Sequence, residues 1–155
     1  MDERNQAMSQ PSLFGTPGGG SAVANIDGGS RGNPGPAAYG VRIERDDGSV
    51  VELKEAFGVA TNNVAEYRGL LAALAWATRH GIERLRVRSD SLLLVKQMSG
   101  EYRVKNPGLQ PLWTEARNMA RGLREVRFEH VRRELNREAD RLANEAMDAA
   151  ATTRP

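Results

Sequence analysis

The chain has 155 residues, of which 39% are hydrophobic, and a formal net charge of +2. This length suits one domain built around a single hydrophobic core. There is no cysteine, which excludes disulfide bonds, a thiolate nucleophile and a zinc–cysteine site. The excess of 22 Lys and Arg over 20 Asp and Glu is as typical of solvated helix faces as of a nucleic-acid-binding surface.

The N-terminal segment is polar and rich in glycine and proline, and it runs into GTPGGGS. We predict a disordered arm at 1–20, a folded domain at 21–150 and a disordered tail at 151–155. The start MDERNQ lacks the basic and apolar segments of a signal peptide, and no apolar run is long enough to span a membrane. We therefore expect a soluble, cytoplasmic protein.

The first half of the domain reads as three consecutive strands at 22–27, 39–43 and 50–59, where apolar and polar residues alternate or apolar runs are short. The sequence Asp46-Asp47-Gly48 is a hairpin-turn signal between the second and third strands. Because the connections are short, these strands are expected to form an antiparallel meander.

Helical periodicity predicts helices at 61–80, 91–98 and 109–123, and a last helix that Asn136 caps. Gly81 suits the position just past the end of the first helix. Strands at 85–89 and 126–131 complete the order β-β-β-α-β-α-α-β-α. This order indicates an α/β fold with a mixed sheet, in which two further strands are reached through helices.

Four acidic residues adjoin apolar segments. Asp27 and Asp90 follow apolar strand residues, Glu66 lies on the core-facing stripe of the first helix, and Asp140 borders the apolar face of the last helix. Each has a local alternative, because the two strand-end aspartates can form turns or caps and the two helical residues can favour a helix N-terminus. Carboxylates near a core usually pair with a cation. Four of them without cysteine favour Mg²⁺ or Mn²⁺ and two-metal cleavage of phosphodiesters.

Four segments of the chain resemble the sequence blocks of the type 1 ribonuclease H family, in order and spacing, over about residues 22–148: IDGGSRGNPGP, TNNVAEY, SDSLLLVKQM and HVRRELNREADRLANEA. The resemblance implies the ribonuclease H fold, a five-stranded mixed sheet of order 3-2-1-4-5 with helices on both faces. It also implies endonucleolytic hydrolysis of the RNA strand of RNA/DNA hybrids, with 5′-phosphate and 3′-hydroxyl products and roles in primer and R-loop removal.

The resemblance also implies the metal ligands. Asp27, Glu66, Asp90 and Asp140 correspond to the family's ligands of two Mg²⁺ ions, for which Mn²⁺ is expected to substitute. Asp27 would bridge the ions, Asp140 would hold the ion that activates the attacking water, and Glu66 and Asp90 would hold the ion that stabilises the leaving 3′ oxygen. Such a pair of ions can stabilise both the attacking and the departing oxygen.

Further positions resemble the family's substrate groove. Asn33 and Asn62 correspond to residues that contact the RNA strand in the minor groove, where the 2′-hydroxyl distinguishes RNA from DNA and an amide offers a donor and an acceptor. Thr61 and Asn106 correspond to a pocket for a DNA phosphate. Turn formation by Asn33 and Asn106, and helix capping by Thr61 or Asn62, are the alternative roles.

Three departures place the chain in a subset of the family. Arg133 occupies the position of a loop histidine found in many members; it cannot act as a general base, although it can neutralise phosphate or assist product release. The basic handle that some members carry after the third block is missing. Val59 stands where the phosphate pocket often has an arginine. His130 alternates with Val126 and Phe128 in a predicted strand, and we interpret it as structural.

These features leave several functions open. The leading prediction is a monomeric ribonuclease whose partner is an RNA/DNA hybrid duplex, with no membrane association. One alternative is that the chain also cleaves double-stranded RNA, as some members of the handle-less, arginine-containing subset do. A second is a non-catalytic nucleic-acid-binding module. A third is a DNA-strand-transfer enzyme of the same fold, against which the GNPG, TNN and AD-LAN blocks argue.

Overall fold

The computed structural model describes residues 20–152 of the chain. Its strands are β1 (Ser21–Ser30), β2 (Gly35–Arg45), β3 (Val50–Ala60), β4 (Arg84–Ser89) and β5 (Glu125–His130). Its α-helices are α1 (Asn62–Arg79), α2 (Leu92–Met98), α3 (Gln110–Arg121) and α4 (Arg137–Thr152), and a 3₁₀ helix spans Arg133–Leu135. The predicted order of strands and α-helices is confirmed, and the 3₁₀ helix is a feature that the sequence pattern does not predict.

The strands form one five-stranded sheet in the order β3-β2-β1-β4-β5. β1 and β2 are antiparallel, as are β2 and β3, whereas β4 runs parallel to both β1 and β5. This confirms the mixed sheet that the sequence pattern predicts and the strand order 3-2-1-4-5 that the family resemblance implies. Because β1 and β4 are adjacent and parallel, their carboxyl ends reach the same edge of the sheet, where ligand sites of α/β proteins commonly lie.

Helices cover both faces of the sheet. Leu70 and Leu74 of α1 are fully buried in one core cluster with Ile26 of β1, and α3 packs against α1. On the opposite face, Met147 of α4 packs against Ala38 of β2 in a second cluster. The apolar stripes predicted for the first and last helices are thus the faces that they bury, and tertiary packing of such stripes supplies most of a helix's stability.

Two strands are longer than the apolar pattern predicts. The pattern places strands at 22–27 and 39–43, whereas the antiparallel ladder continues from Ala22 paired with Arg45 to Ser30 paired with Ala37. The residues added to β1 after Asp27 are Gly28, Gly29 and Ser30, which favour turns as isolated residues. Backbone pairing with β2 overrides that local preference, since tertiary context decides most strand assignments.

Both ends of α1 agree with the sequence prediction. The Oγ1 atom of Thr61 accepts a hydrogen bond from the backbone N of Val64 at 3.2 Å, so Thr61 is the N-cap. Gly81 follows the C-cap His80 with a φ of 67°. This left-handed conformation favours glycine because it has no Cβ atom.

The proposed terminal segments extend beyond the described part of the chain. Residues 1–19 of the predicted arm and 153–155 of the predicted tail lie outside the described residues. At the C-terminal end, α4 continues through Thr152 and so extends past residue 150, where the sequence places the end of the domain. Within residues 20–152, no helix combines the length and the hydropathy needed to cross a membrane.

Candidate active site

Asp27 lies where β1 and β4 separate. The last residue pair of the parallel ladder is Ile26 with Ser89, whereas Asp27 still pairs with Gly40 of β2. The expectation that Asp27 ends a strand, and the alternative that it forms a turn, are therefore both wrong. Because β4 ends here while β1 continues, the Asp27 carboxyl faces the crevice at the sheet edge.

A direct backbone contact between β1 and α1 brings Glu66 to this crevice. A Cβ atom on Gly28 would lie 2.3 Å from the carbonyl carbon of Ala65 and 2.5 Å from the backbone N of Glu66. Real Cβ atoms do not approach other atoms this closely, so a side chain at position 28 would move α1 outward. Glu66 is partly buried on the same side of α1 as the fully buried Leu70, as the helical periodicity predicts.

Asp90 completes a tight group of carboxylates. The N-cap of α2 is Ser91, whose Oγ accepts a hydrogen bond from the backbone N of Leu94 at 3.2 Å, so the capping role considered for Asp90 is wrong. One carboxylate oxygen each from Asp27, Glu66 and Asp90 lies within 4.8 Å of the other two. Three elements of the chain thus deliver oxygen ligands to one point, at a spacing that one divalent cation could share.

Asp140 lies beside this group, in the first turn of α4 as predicted. A Cβ atom on Gly40 would lie 2.3 Å from the carbonyl oxygen of Ala139 and 2.6 Å from the backbone N of Ala143, so glycine at position 40 lets α4 rest directly on β2. The Asp140 side chain helps to raise the pKa of Asp27, although it does not belong to the group of three within 4.8 Å.

The electrostatics of the cluster favour a bound cation. Burial, followed by the charge of Asp90 and the hydrogen bond with Asp140, raises the pKa of Asp27 to about 8. Burial also raises the pKa of Glu66 to about 7, with the charge of Asp90 acting in the same direction and a hydrogen bond from Ser91 opposing it. Partly buried carboxyls that repel one another resist ionisation, and a divalent cation would remove that repulsion.

Comparison with known proteins shows which family the chain belongs to. A family model described as reverse transcriptase-like matches residues 25–146. The protein named ribonuclease HI of Halobacterium salinarum is 44% identical over 133 residues, which cover 85% of this chain and 67% of that protein. The chain belongs to the type 1 ribonuclease H family.

Other members of the family extend the comparison. A bifunctional protein of Mycobacterium tuberculosis is 53% identical over 131 residues, which cover 83% of this chain but 36% of that protein; the chain thus spans about a third of its length. The N-terminal ribonuclease H domain of that protein, solved as a maltose-binding protein fusion, superposes with a TM-score of 0.82 at 51% identity, covering 86% and 98% of the two chains. LC11 ribonuclease H1, solved in complex with RNA/DNA hybrid, gives a TM-score of 0.79 at 39% identity, covering 84% and 99%.

In this ribonuclease H family member, Arg133 acts electrostatically on the carboxylate cluster. It is exposed and begins the 3₁₀ helix that precedes α4. Its positive charge lowers the pKa of Glu66, so the guanidinium lies within electrostatic range of the predicted metal ligands. His130, three positions earlier in the sequence, is the last residue of β5. It is exposed and contributes nothing to the core.

Ser91 is a site residue that the sequence analysis does not identify. Besides capping α2, its hydroxyl lowers the pKa of the Glu66 carboxyl by hydrogen bonding. A hydroxyl residue directly after Asp90 is the sequence signal. That signal is weak by itself, because serine at a helix start is already explained by capping.

The two asparagines predicted to contact RNA belong to one hydrogen-bonded network. Asn33 accepts a hydrogen bond through Oδ1 from the backbone N of Asn62 at 3.0 Å. Asn62 accepts through Oδ1 from the backbone N of Ser30 at 2.8 Å. The network fastens the GNPG loop to the start of α1. Neither Nδ2 group donates a hydrogen bond to another residue within 20–152.

The two residues predicted to bind a DNA phosphate have local roles in the described chain. Thr61 caps α1, and Asn106 accepts a hydrogen bond through Oδ1 from the backbone N of Gly108 at 2.7 Å. No hydrogen bond joins Thr61 to Asn106 within residues 20–152. Val59, at the position where the pocket often has an arginine, is 71% exposed.

Proposed function

We propose that this chain is an endoribonuclease that hydrolyses the RNA strand of RNA/DNA hybrids with the help of divalent metal ions. The observation that carries the proposal is the convergence of Asp27, Glu66 and Asp90, whose carboxylate oxygens lie within 4.8 Å of one another. Two relatives support it: the Halobacterium protein bears the name ribonuclease HI, and the LC11 enzyme is solved with an RNA/DNA hybrid.

The ligands of the ions would be Asp27, Glu66, Asp90 and Asp140. Carboxylate oxygens without sulfur or imidazole fit Mg²⁺, with Mn²⁺ as a substitute. When bound, two such ions would activate a water molecule and stabilise the departing oxygen, leaving 5′-phosphate and 3′-hydroxyl ends. Asp27 belongs to the group of three within 4.8 Å, and its pKa also responds to Asp140, so its carboxylate would contribute to holding both ions.

Arg133 would act on the substrate and product rather than as a proton acceptor. A guanidinium stays protonated at neutral pH, which excludes general-base catalysis by this residue. Its charge already influences Glu66, and a scissile phosphate bound at the cluster would lie in the same field. Neutralising the phosphate and speeding the release of the cleaved end are the roles open to it.

Recognition of the RNA strand would fall to Asn33 and Asn62. Their Oδ1 atoms are engaged within the network of the GNPG loop, which fixes the orientation of both side chains. Their Nδ2 groups are available to donate to 2′-hydroxyl or base acceptors in the minor groove. Thr61 and Asn106 would contact the DNA phosphate, and with the exposed Val59 in place of an arginine we expect that contact to be weak.

The wider roles follow from the same chemistry. An enzyme of this kind would remove replication primers and R-loops, and we expect it to act as a cytoplasmic monomer. Double-stranded RNA is the alternative substrate, because the chain lacks the basic handle and carries Arg133, features of the subset in which broader cleavage occurs.

The test is cleavage of end-labelled RNA/DNA hybrid, RNA/RNA duplex and single-stranded RNA in Mg²⁺, Mn²⁺ or chelator. The wild-type protein is compared with Asp27→Asn and with a matched control, Glu83→Gln, which neutralises a carboxyl just before the opposite, N-terminal end of β4. Metal-dependent internal cuts in the hybrid's RNA strand are expected for wild type and Glu83→Gln, and their loss is expected for Asp27→Asn.

Other outcomes separate the alternatives. Equal cutting of RNA/RNA duplex would assign the chain to the broader subset. Binding of hybrid without cleavage in either metal would contradict the enzyme proposal and leave a nucleic-acid-binding module. Loss of activity in Glu83→Gln as well as Asp27→Asn would mean that the assay reports instability rather than metal binding.

A further inference from the structure

Asn136 is a buried polar residue that the proposed chemistry does not use. It is 1% exposed and lies between the 3₁₀ helix and α4. A buried amide is stable only when its donor and acceptor groups find partners. The partners of Asn136 therefore show what this residue holds together.

The side chain of Asn136 is bound to β1. Its Nδ2 donates to the backbone carbonyl oxygen of Ile26 at 2.8 Å, and its Oδ1 accepts from Nδ2 of Asn25 at 3.1 Å. Ile26 directly precedes Asp27, so the amide holds the backbone at the point where the first candidate metal ligand begins. The side chain is thus engaged with the strand rather than with the start of its own helix, where the sequence predicts a cap.

The backbone of Asn136 is bound to two other candidate site segments. Its N–H donates to the carbonyl oxygen of Arg133 at 2.9 Å, and its carbonyl oxygen accepts from the backbone N of Asp140 at 3.1 Å. One residue therefore contacts the residue before Asp27, the residue Arg133 itself and the first turn of α4 that carries Asp140.

We propose that Asn136 is a positioning residue that fixes Asp140 and Arg133 relative to Asp27 and thereby sets the affinity of the site for divalent cations. This inference rests on the proposed function, because it assigns a role in the same metal site. Residues that orient metal ligands through hydrogen bonds typically contribute tenfold to a hundredfold in metal affinity.

An amide suits this role better than the isosteric carboxylate. It donates to the Ile26 carbonyl and accepts from Asn25 at the same time, whereas an ionised aspartate can only accept. Asn136→Asp would therefore place a negative charge against the Ile26 carbonyl oxygen and leave that oxygen without its donor. Asn25→Ala removes the longer of the two side-chain hydrogen bonds and leaves the bond to Ile26 in place.

The experiment measures Mg²⁺ and Mn²⁺ binding by calorimetry for wild type, Asn136→Asp, Asn136→Ala and Asn25→Ala. We expect metal binding weaker by about tenfold or more in both Asn136 variants and by roughly twofold in Asn25→Ala, with the hybrid KM nearly unchanged and kcat restored by excess Mg²⁺. Ile43→Val is the control for stability, because Ile43 is fully buried in β2 toward the far end of its pairing with β1.

The outcomes are distinct. Metal affinity equal to wild type in the Asn136 variants, with a loss of stability like that of Ile43→Val, would overturn the inference. A wild-type protein that neither binds Mg²⁺ nor cuts hybrid would instead overturn the proposed function. In that case hydrogen–deuterium exchange still tests the positioning role. If Asn136 positions the start of α4, that segment exchanges faster in Asn136→Asp than in Ile43→Val.

Discussion

Gly28 of β1 and Ala65 of α1 are in direct backbone contact, and this contact sets the separation between the side chains of Asp27 and Glu66. The two carboxyl residues adjoin the contact on either side, Asp27 before Gly28 and Glu66 after Ala65. A Cβ atom at position 28 would lie 2.3 Å from the Ala65 carbonyl carbon. The close approach of Asp27 and Glu66 in the candidate metal site therefore depends on the absence of a side chain at position 28.

Gly28→Ala should separate the two metal ligands. The methyl group can be accommodated only by moving α1, and such overpacking costs about 1–3 kcal/mol. We expect the unfolding free energy to fall by about that amount and cleavage of hybrid to fall at least about tenfold, since misplacement of reacting groups is costly. Urea unfolding and steady-state kinetics measure the two effects.

Gly29→Ala is the matched control for this prediction. A Cβ atom at position 29 would lie 3.9 Å from Asn62 Oδ1 and 4.0 Å from a methyl carbon of Met147, which are ordinary contacts. We expect this variant to keep the stability of the wild type. Equal behaviour of the two alanine variants would show that the contact between Gly28 and Ala65 is not what limits the approach of α1.

The metal-free protein should lose stability as the pH rises. Burial and neighbouring charge raise the pKa of Asp27 to about 8 and that of Glu66 to about 7, so the folded state keeps protons that the unfolded chain releases near its ordinary carboxyl pKa. Between the ordinary carboxyl pKa and these raised values, the folded state binds more protons than the unfolded chain. Its stability therefore falls with increasing pH. These pKa values correspond to a loss of up to about 6 kcal/mol between about pH 5 and pH 8.5, measured by urea unfolding in chelator.

Two substitutions and added Mg²⁺ provide the controls for this pH dependence of stability. Asp27→Asn should reduce the slope and stabilise the metal-free protein at high pH, whereas Glu83→Gln should leave the slope as it is. Added Mg²⁺ should stabilise the wild type more as the pH rises, because the ligands bind a cation in their deprotonated form. A metal-free stability that is flat across this range would contradict the proposed electrostatics of the cluster.

The extent to which the sequence predicts this site depends on the range of each interaction. Periodicity places Glu66 on the buried side of α1 and Asp140 in the first turn of α4, because both depend on spacing within one helix. The continuation of β1 beyond Asp27 depends on pairing with β2, and glycines in the added segment give the opposite local signal. Long-range backbone pairing decides that boundary, so a single strand's composition predicts it wrongly.

The same distinction explains the residues that the sequence analysis does not resolve. Thr61 caps α1 as predicted, since capping is local. Asn136 satisfies the sequence rule for a cap equally well, yet its side chain binds Ile26, which lies 110 positions earlier in the chain. Ser91 combines a local cap with a hydrogen bond to Glu66, and only the second of these contacts concerns the site.

Ser91 should contribute to both stability and metal binding. Ser91→Ala removes the cap of α2, which costs about 1 kcal/mol, and also removes the hydrogen bond to Glu66. We expect cleavage to require a severalfold higher Mg²⁺ concentration, in addition to the lower stability. Ser91→Thr retains a hydroxyl and should restore both properties. Loss of stability with an unchanged Mg²⁺ requirement would restrict Ser91 to its capping role.

Arg133 should control the pH at which Glu66 becomes ionised and the site becomes active. Its positive charge lowers the pKa of Glu66 and thus opposes the effect of burial. Arg133→Ala removes this charge, so the Glu66 pKa should rise and the rising limb of the pH–rate profile should move to higher pH. We expect kcat at neutral pH to fall about tenfold, equivalent to about 1.4 kcal/mol in activation free energy.

Arg133→Lys keeps the charge and should retain the wild-type profile in steady-state cleavage assays across the pH range, although it loses the planar fork that can grip a phosphate with two hydrogen bonds. If Arg133→Ala kept both the wild-type rate and the wild-type profile, the guanidinium would have no part in the site, and Glu66 would depend on Ser91 and the bound cations alone for its ionisation.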